Sequence, residues 1–266
     1  MKIFNLSSKI NESTLNKWNK SLALLHAVQG ILILLLSSSK GWPIVTNFLT
    51  TDSVSTQIAG KPILASASKE IFSLNLGYLV ASFFFMSAIA HLLVATKLRK
   101  SYESNLKKGI NKARWIEYGL SASTMMVAIG LLSGINDIAS IVMIFSLVLV
   151  MNLLGLVMEL YNSGKNKTDW ISFIVGCLAG IIPWIVFAIY VWSATAYGLS
   201  GIPTFVYWIY ISIFVFFNSF AVNMYLQYKK VGKWSNYLYG ERTYMILSLV
   251  AKTALAWQIF AGTLRP

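Results

Sequence analysis

Seven stretches dominated by apolar residues run along the chain, separated by short polar connections. Their limits are about 17–38, 73–97, 108–133, 136–161, 170–193, 203–228 and 240–262. Each reaches the roughly 20 residues that an α-helix needs to cross a bilayer. The sixth, "IPTFVYWIYISIFVFFNSFAVNMYLQY", is dense in aromatics. The fifth holds Gly176 and Gly180 four residues apart, with Pro183 after them. That spacing predicts close helix approach, and the proline a kink. The longest connection, 39–72, carries the β-branched runs "PIVTNFLTT" and "SVSTQI", then "GKPILAS". These predict a short β-hairpin with a glycine turn. The first run, "SLALLHAVQGILILLL", has the length of a signal-peptide core. Its long leader and its His26 and Gln29 mark it as a retained helix. There is no internal repeat.

Composition agrees with a helical membrane protein. Of 266 residues, 56% are hydrophobic and 12% charged, against about a quarter charged in soluble domains. The net charge of +13 does not call for nucleic acid, because Lys and Arg collect in cytoplasmic connections. Of the 22 basic residues, 17 fall before or at the start of the first span or in and around the second, fourth and sixth connections. Lys40, Lys61, Lys69 and Arg265 fall on the other side, and Lys252 lies inside a span. The N-terminus is therefore expected in the cytoplasm and the C-terminus outside. The single Cys177 leaves no disulfide framework and reads as a small core residue.

The ionisable residues inside the spans carry the chemistry. Lys252, in "SLVAKTALAWQIF", lies about 12 residues into the last span, roughly 18 Å at 1.5 Å per residue. A charge at that depth costs at least about 2.5–3.5 kcal/mol. A buried lysine either pairs with a carboxylate or, as a neutral amine, condenses with an aldehyde to a Schiff base. Among the nine carboxylates, Glu117 in "ARWIEYGLSASTMM" is the best embedded candidate. To face Lys252 it needs a third helix that starts well before Arg114, with "NLKKGINKAR" as its first turns. Glu117, Ser121 and Met125 share one helix face, as do Ser248 and Lys252. A serine one turn from the lysine is placed to bond its nitrogen.

His26 and His91 are the only histidines. Both fall in the cytoplasmic halves of their helices, and Gln29 lies on the face of His26. They read as satisfied packing residues or as parts of a proton relay. Without an adjacent carboxylate they make an incomplete metal site. Past Glu117 and Lys252 the third and seventh spans hold no carboxylate, whereas a proton pump needs titratable groups on both sides of its switch. No phosphate-binding loop, zinc spacing or nucleophile triad appears, so no enzyme is expected.

"RWIEYGLSAS", "GCLAGIIPWI", "FFNSFAVNMYLQY", "GKWSNYLYGER" and "LSLVAKTALAWQIFAGTL" strongly resemble the heliorhodopsin family, from His26 nearly to the C-terminus. The resemblance implies an all-α, seven-transmembrane, rhodopsin-like bundle spanning 1–266, with a short β-hairpin in the first extracellular connection and the N-terminus inside. It implies all-trans retinal on Lys252 as a protonated Schiff base, with Glu117 as counterion and Ser248 as hydrogen-bonding neighbour. Ser121, Met125, Trp184, Phe217, Asn218 and Gln258 are the implied pocket residues. His26 and His91 match family histidines in a cytoplasmic polar cavity. The family forms dimers, and most members show slow photocycles without ion pumping, which implies sensing through a cytoplasmic partner. The alternative is a light-gated channel or proton transporter on the same scaffold. A third reading is a membrane-bound enzyme or a regulator of one. The basic connections then either contact that partner or only set orientation against anionic lipid.

Overall fold

A computed structural model describes residues 10–38, 41–199 and 201–264. It contains seven helices long and apolar enough to cross a membrane. In chain order these are α1 (Glu12–Leu36), α3 (Leu76–Ala95), α5 (Lys112–Leu132), α6 (Ile138–Asn162), α7 (Ile171–Tyr197), α8 (Thr204–Tyr228) and α9 (Tyr237–Ile259). Shorter elements join them: strand β1 (Gly41–Thr51), helix α2 (Ser53–Ala59), strand β2 (Leu64–Asn75) and helix α4 (Arg99–Lys107). The protein is an all-α, rhodopsin-like seven-helix bundle with one two-stranded antiparallel hairpin.

Side-chain caps fix where most helices begin. Asn11, Asn75, Asn111, Asp137 and Asn236 accept backbone N–H bonds in the first turns of α1, α3, α5, α6 and α9. Each cap satisfies a donor that has no partner within the helix. Helix α1 packs on α3, α3 on α5, α5 on α6 and α6 on α7, while α8 packs on α9 and α9 on α1. Helices α7 and α8 meet mainly through aromatic rings, among them Trp184 against Tyr210 at 5.3 Å and Trp170 against Tyr225 at 5.4 Å. Helix α5 is central: 78% of its most apolar window is buried, against at most 44% in the other spans.

Four local expectations need correcting. The third span does not include "NLKKGIN" as its first turns. Gly109 takes φ +71°, which ends α4, and Asn111 caps a new helix from Lys112. A left-handed glycine closes a helix at no steric cost. "SVSTQI" is helix α2 rather than hairpin strand, because Asp52 accepts bonds from the backbone of Val54 and Ser55. The second span starts at Leu76 rather than 73, because β2 runs on to Asn75 and pairs there with Gly41. Cys177 is exposed on α7 and is not a core residue. The pair Gly176 and Gly180 does allow close approach, since a Cβ on Gly180 would lie 2.5 Å from the Met151 sulfur.

The hairpin closes one end of the bundle. Ile44 of β1 is buried in the main core with Leu76 and Ile135. The Val45 amide donates to the Asn136 carbonyl at 3.0 Å, and the Asn47 side chain donates to Asp137 at 3.2 Å. The opposite end carries the lysine-rich connections.

Candidate functional site

The deepest cation and its anion come from two helices that neighbour one another through α3. Lys252 lies fifteen residues beyond the start of α9, and Glu117 five beyond the start of α5. Long helical side chains point back toward the N-terminus of their helix. Lys252 does so: its Nζ donates to Ser248 Oγ, four residues earlier, at 2.7 Å. That backward reach brings Nζ to 3.2 Å from Glu117 Oε1. The pair therefore forms although α5 begins later than expected. Lys252 is 3% and Glu117 7% exposed, so each ion depends on the other. Removing one partner of such a buried pair costs about 3–5 kcal/mol.

Two residues outside the expected set complete this centre. Ser87 of α3 places its hydroxyl 2.6 Å from the same Glu117 oxygen. Tyr118 turns its ring toward the lysine, with Nζ 5.2 Å from the ring centre, while its hydroxyl donates to the Tyr244 carbonyl at 2.9 Å. A cation facing an aromatic ring is stabilised by the ring quadrupole. Spacing gave a hint of Ser87, which sits four residues before His91 on one helix face. Tyr118 gave none beyond its neighbour Glu117.

Two cavities flank the ion pair. The larger, about 160 Å³, is bounded by Lys252 and Ser248 at one place and by Met125, Met126, Ile213 and Phe217 along its length. It is mostly apolar and extends between α7 and α8 past Cys177 and Asn218. The smaller, about 40 Å³, lies on the other side of Glu117 toward the lysine-rich end. Its walls include His91, Asn19, Tyr102, Arg114 and Glu241.

The expected pocket residues divide between these places. Met125, Phe217, Asn218, Ser248 and Lys252 line the larger cavity, with Asn218 exposed at its edge. Trp184 is buried behind it, edge-on to Phe217 at 5.6 Å. Ser121 is fully buried one turn beyond Glu117 and is not part of the cavity wall. Gln258 is held away from the cavity by Ser212 of α8, whose hydroxyl accepts from its amide at 3.1 Å. His26 and His91 do come together, with rings stacked 5.7 Å apart at 7°. Gln29 does not join them; it accepts from the Trp257 indole at 3.3 Å. Asn19 is the actual polar neighbour, 2.7 Å from His91 Nδ1.

A second buried charge cluster sits nearer the lysine-rich end. Arg114 forms ion pairs with both Glu159 of α6 and Glu241 of α9. Its guanidinium also lies over the rings of Tyr244, at 3.8 Å, and Trp115, at 4.4 Å. Each of the three charged residues stands at a span end in the sequence, where a charge is ordinarily solvated. The structure buries all three.

A buried amine paired with a carboxylate, at the wall of a mostly apolar cavity in a seven-helix bundle, defines a rhodopsin-type membrane protein. The apolar walls, with Lys252 the one lysine among the described lining residues, suit a polyene cofactor. The heliorhodopsin family model matches residues 15–264, and the chain belongs to that family. It is accordingly a retinal-binding, light-sensing, multi-pass membrane protein. No curated protein sequence matches it.

Proposed function

We propose that this protein is a light sensor in which retinal, in the all-trans form, is attached to Lys252 as a protonated Schiff base with Glu117 as counterion. The observation that carries this reading is the 3.2 Å Lys252–Glu117 pair at the wall of the apolar cavity. Bound retinal supplies absorption in the visible range and a change of shape on illumination. The chain's own residues do the rest. Glu117 holds the positive charge at Nζ, and Ser87 orients the carboxylate. Ser248 accepts a hydrogen bond from Nζ. Met125 and Phe217, backed by Trp184, confine the apolar part.

Moving a proton or a charge between Nζ and Glu117 alters the field in a low-dielectric site. Such a change biases a two-state arrangement of helices. Signalling without ion pumping is the reading favoured by the hairpin half of the core. Its buried polar side chains among the described residues are hydroxyls such as Ser123, Thr124 and Ser133, not carboxylates. The small cavity beyond Glu117, with His91, Asn19, Arg114 and Glu241 in its lining, favours the second reading, proton movement toward the lysine-rich end. The basic connections support a cytoplasmic N-terminus and an external C-terminus, and a cytoplasmic partner as receiver of the signal. Family membership supports a homodimer and one domain over the whole chain.

Adding all-trans retinal to the expressed protein is expected to give a visible absorption band, and Lys252→Ala is expected to abolish it. Absence of a band in the intact protein, or its survival in the variant, would overturn the assignment. Voltage-clamp recording under illumination separates the two readings: sensing gives no steady photocurrent, and transport gives one.

A further inference from the structure

The larger cavity extends beyond the part given to the cofactor. Met125, Met126, Ile213 and Phe217 wall that part. On the lysine-rich side of Tyr118 the cavity continues as a second lobe, whose walls include Trp115, Gly155, Phe173, Ala221 and Met224. Trp115 lies one turn of α5 from Tyr118 toward the lysine-rich end. Two polar side chains of the wall are tied back to their own helices. The Asn152 amide donates to the Val148 carbonyl, and the Asn218 amide to the Phe214 carbonyl, each at 2.8 Å.

This lobe is open at the side. Helices α7 and α8 stand apart and meet mainly through rings, and the cavity reaches the outer face between them at Cys177 and Asn218, both exposed. In a membrane-spanning bundle that face meets lipid tails rather than water. Apolar walls without atoms opposite them forfeit dispersion contacts.

The foot of the groove has a different chemistry. Lys229, at the end of α8, holds Nζ 5.5 Å from the ring centre of Trp170 and 5.8 Å from that of Tyr225. Trp170 stands at the start of α7 and packs edge-on against Phe173, a wall residue of the lobe, at 5.5 Å. Tryptophan and tyrosine collect at the level of lipid headgroups, and lysine stems reach toward it. Lys229 is exposed, and among the described residues no carboxylate lies within ion-pair distance of it. Asp169 turns Oδ1 to the Ile171 amide at 2.9 Å. From Asn218 to Lys229 the chain advances about 16 Å at 1.5 Å per residue. One leaflet is half of a hydrocarbon core about 30 Å thick, so this stretch matches the depth of one leaflet.

We propose that the groove between α7 and α8 is a binding site for a membrane phospholipid. Its phosphate sits at Lys229, beside Trp170 and Tyr225, and one acyl chain runs past Phe173 and Cys177 into the second lobe. The phosphate gives the ammonium a charge-assisted partner, and the chain supplies the carbon contacts that the lobe lacks. The lipid belongs to the leaflet on the lysine-rich side.

The test uses the full chain with added retinal, stripped of lipid by detergent exchange, and dioleoyl phosphatidylglycerol as the probe. Native mass spectrometry counts bound lipid. Alkylation of Cys177, the single cysteine, by N-ethylmaleimide reports whether the groove is filled. Wild type is expected to hold one lipid per chain at low lipid concentration, and to react more slowly with lipid than without. Lys229→Ala is expected to need about fivefold more lipid for both effects, since one lysine at a lipid surface contributes about 1 kcal/mol. Lys100→Ala removes an exposed charge on α4, which packs on α3 and α5, and is expected to behave as wild type. The proposal is overturned if lipid does not slow the Cys177 reaction in wild type, or if Lys229→Ala needs no more lipid than wild type. It is equally overturned if Lys100→Ala is weakened as much, which would mean a diffuse attraction of the basic end for the probe. A failure of the retinal assignment shows separately, as a missing visible band, and leaves the lipid and thiol readouts intact.

Discussion

The two halves of the core are built from different materials. Toward the lysine-rich end the interior holds Arg114, Glu117, Glu159, Glu241, His26 and several asparagines, all buried. Toward the hairpin end it is filled by Phe83, Phe84, Ile129, Leu131, Ile135 and Ile259, with Ile44 of the hairpin inserted among them. Lys252 sits where the two meet. The difference teaches that one half stores charge and the other half seals. Among the described residues, a charge displaced at Nζ finds buried ionisable groups in one direction only.

The strongest way to break this comparison is to put a carboxylate in the sealed half. Ile129 is 1% exposed on α5, the same helix that carries Glu117. Ile129→Asp buries a charge without a partner and is expected to destabilise by about 3–5 kcal/mol. The control Ile129→Val removes one methylene and is expected to cost only about 0.5–1.5 kcal/mol. Denaturation of both variants in the same detergent checks the contrast. If the aspartate variant were as stable as the valine one, water would reach the hairpin half and the distinction would fail.

The next test acts at the boundary. Glu117→Gln removes the anion that faces Lys252 Nζ at 3.2 Å. Without it the neutral form of the nitrogen gains ground. The sign is therefore fixed: the visible band of the retinal-loaded variant is expected at a shifted wavelength, and it bleaches at lower pH than in wild type. A pH titration of the spectrum reads both effects. An unchanged titration would mean that another anion serves. A smaller effect is expected from Ser87→Ala, which deletes a hydroxyl placed 2.6 Å from the Glu117 carboxylate. Hydrogen bonds to charged groups contribute about 1.5–3 kcal/mol. The expected readout is a lower thermal midpoint and a spectral shift in the same direction as Glu117→Gln but smaller. A shift in the opposite direction would contradict the role given to Ser87.

Much of the sealing and little of the charge storage was legible in the sequence. A run of about twenty apolar residues identifies a span whatever it packs against, so all seven helices were found. Glu117 stood out because it interrupts such a run. Arg114, Glu159 and Glu241 did not, because each lies at a span end and their meeting needs three helices far apart in sequence. Gln29 and Gln258 show a further limit. Face-sharing set Gln29 beside His26 and the family resemblance set Gln258 in the pocket, but their partners are Trp257 and Ser212. The hairpin was recognised from its β-branched runs. Helix α2 within it was hidden, because "SVSTQI" has strand-like residues and only the cap from Asp52 decides otherwise.

That cap supplies the smallest effect and sharpens the comparison from the hairpin end. Asp52 is a partly exposed carboxylate, unlike the buried Glu117. Its Oδ1 accepts from Ser55 N at 3.1 Å and Val54 N at 3.0 Å, and Oδ2 accepts from Ser55 Oγ at 2.8 Å. The Ser55 amide first, then its hydroxyl, hold the Asp52 carboxyl below its ordinary value. A group whose titration is depressed in the folded state adds stability that is present above its unfolded value and is lost as pH falls through the folded one. The α2 turn is thus expected to loosen on acidification below the usual carboxylate range, with loss of amide protection at Val54 and Ser55. Asp52→Asn keeps an N-cap acceptor and is expected to remove the pH dependence while leaving the helix formed. Amide hydrogen exchange across that range, in wild type and variant, reads the result. If protection at Val54 and Ser55 fell equally in both, the loosening would come from elsewhere in the hairpin. The Asp52 carboxylate would then play no part in holding the seal.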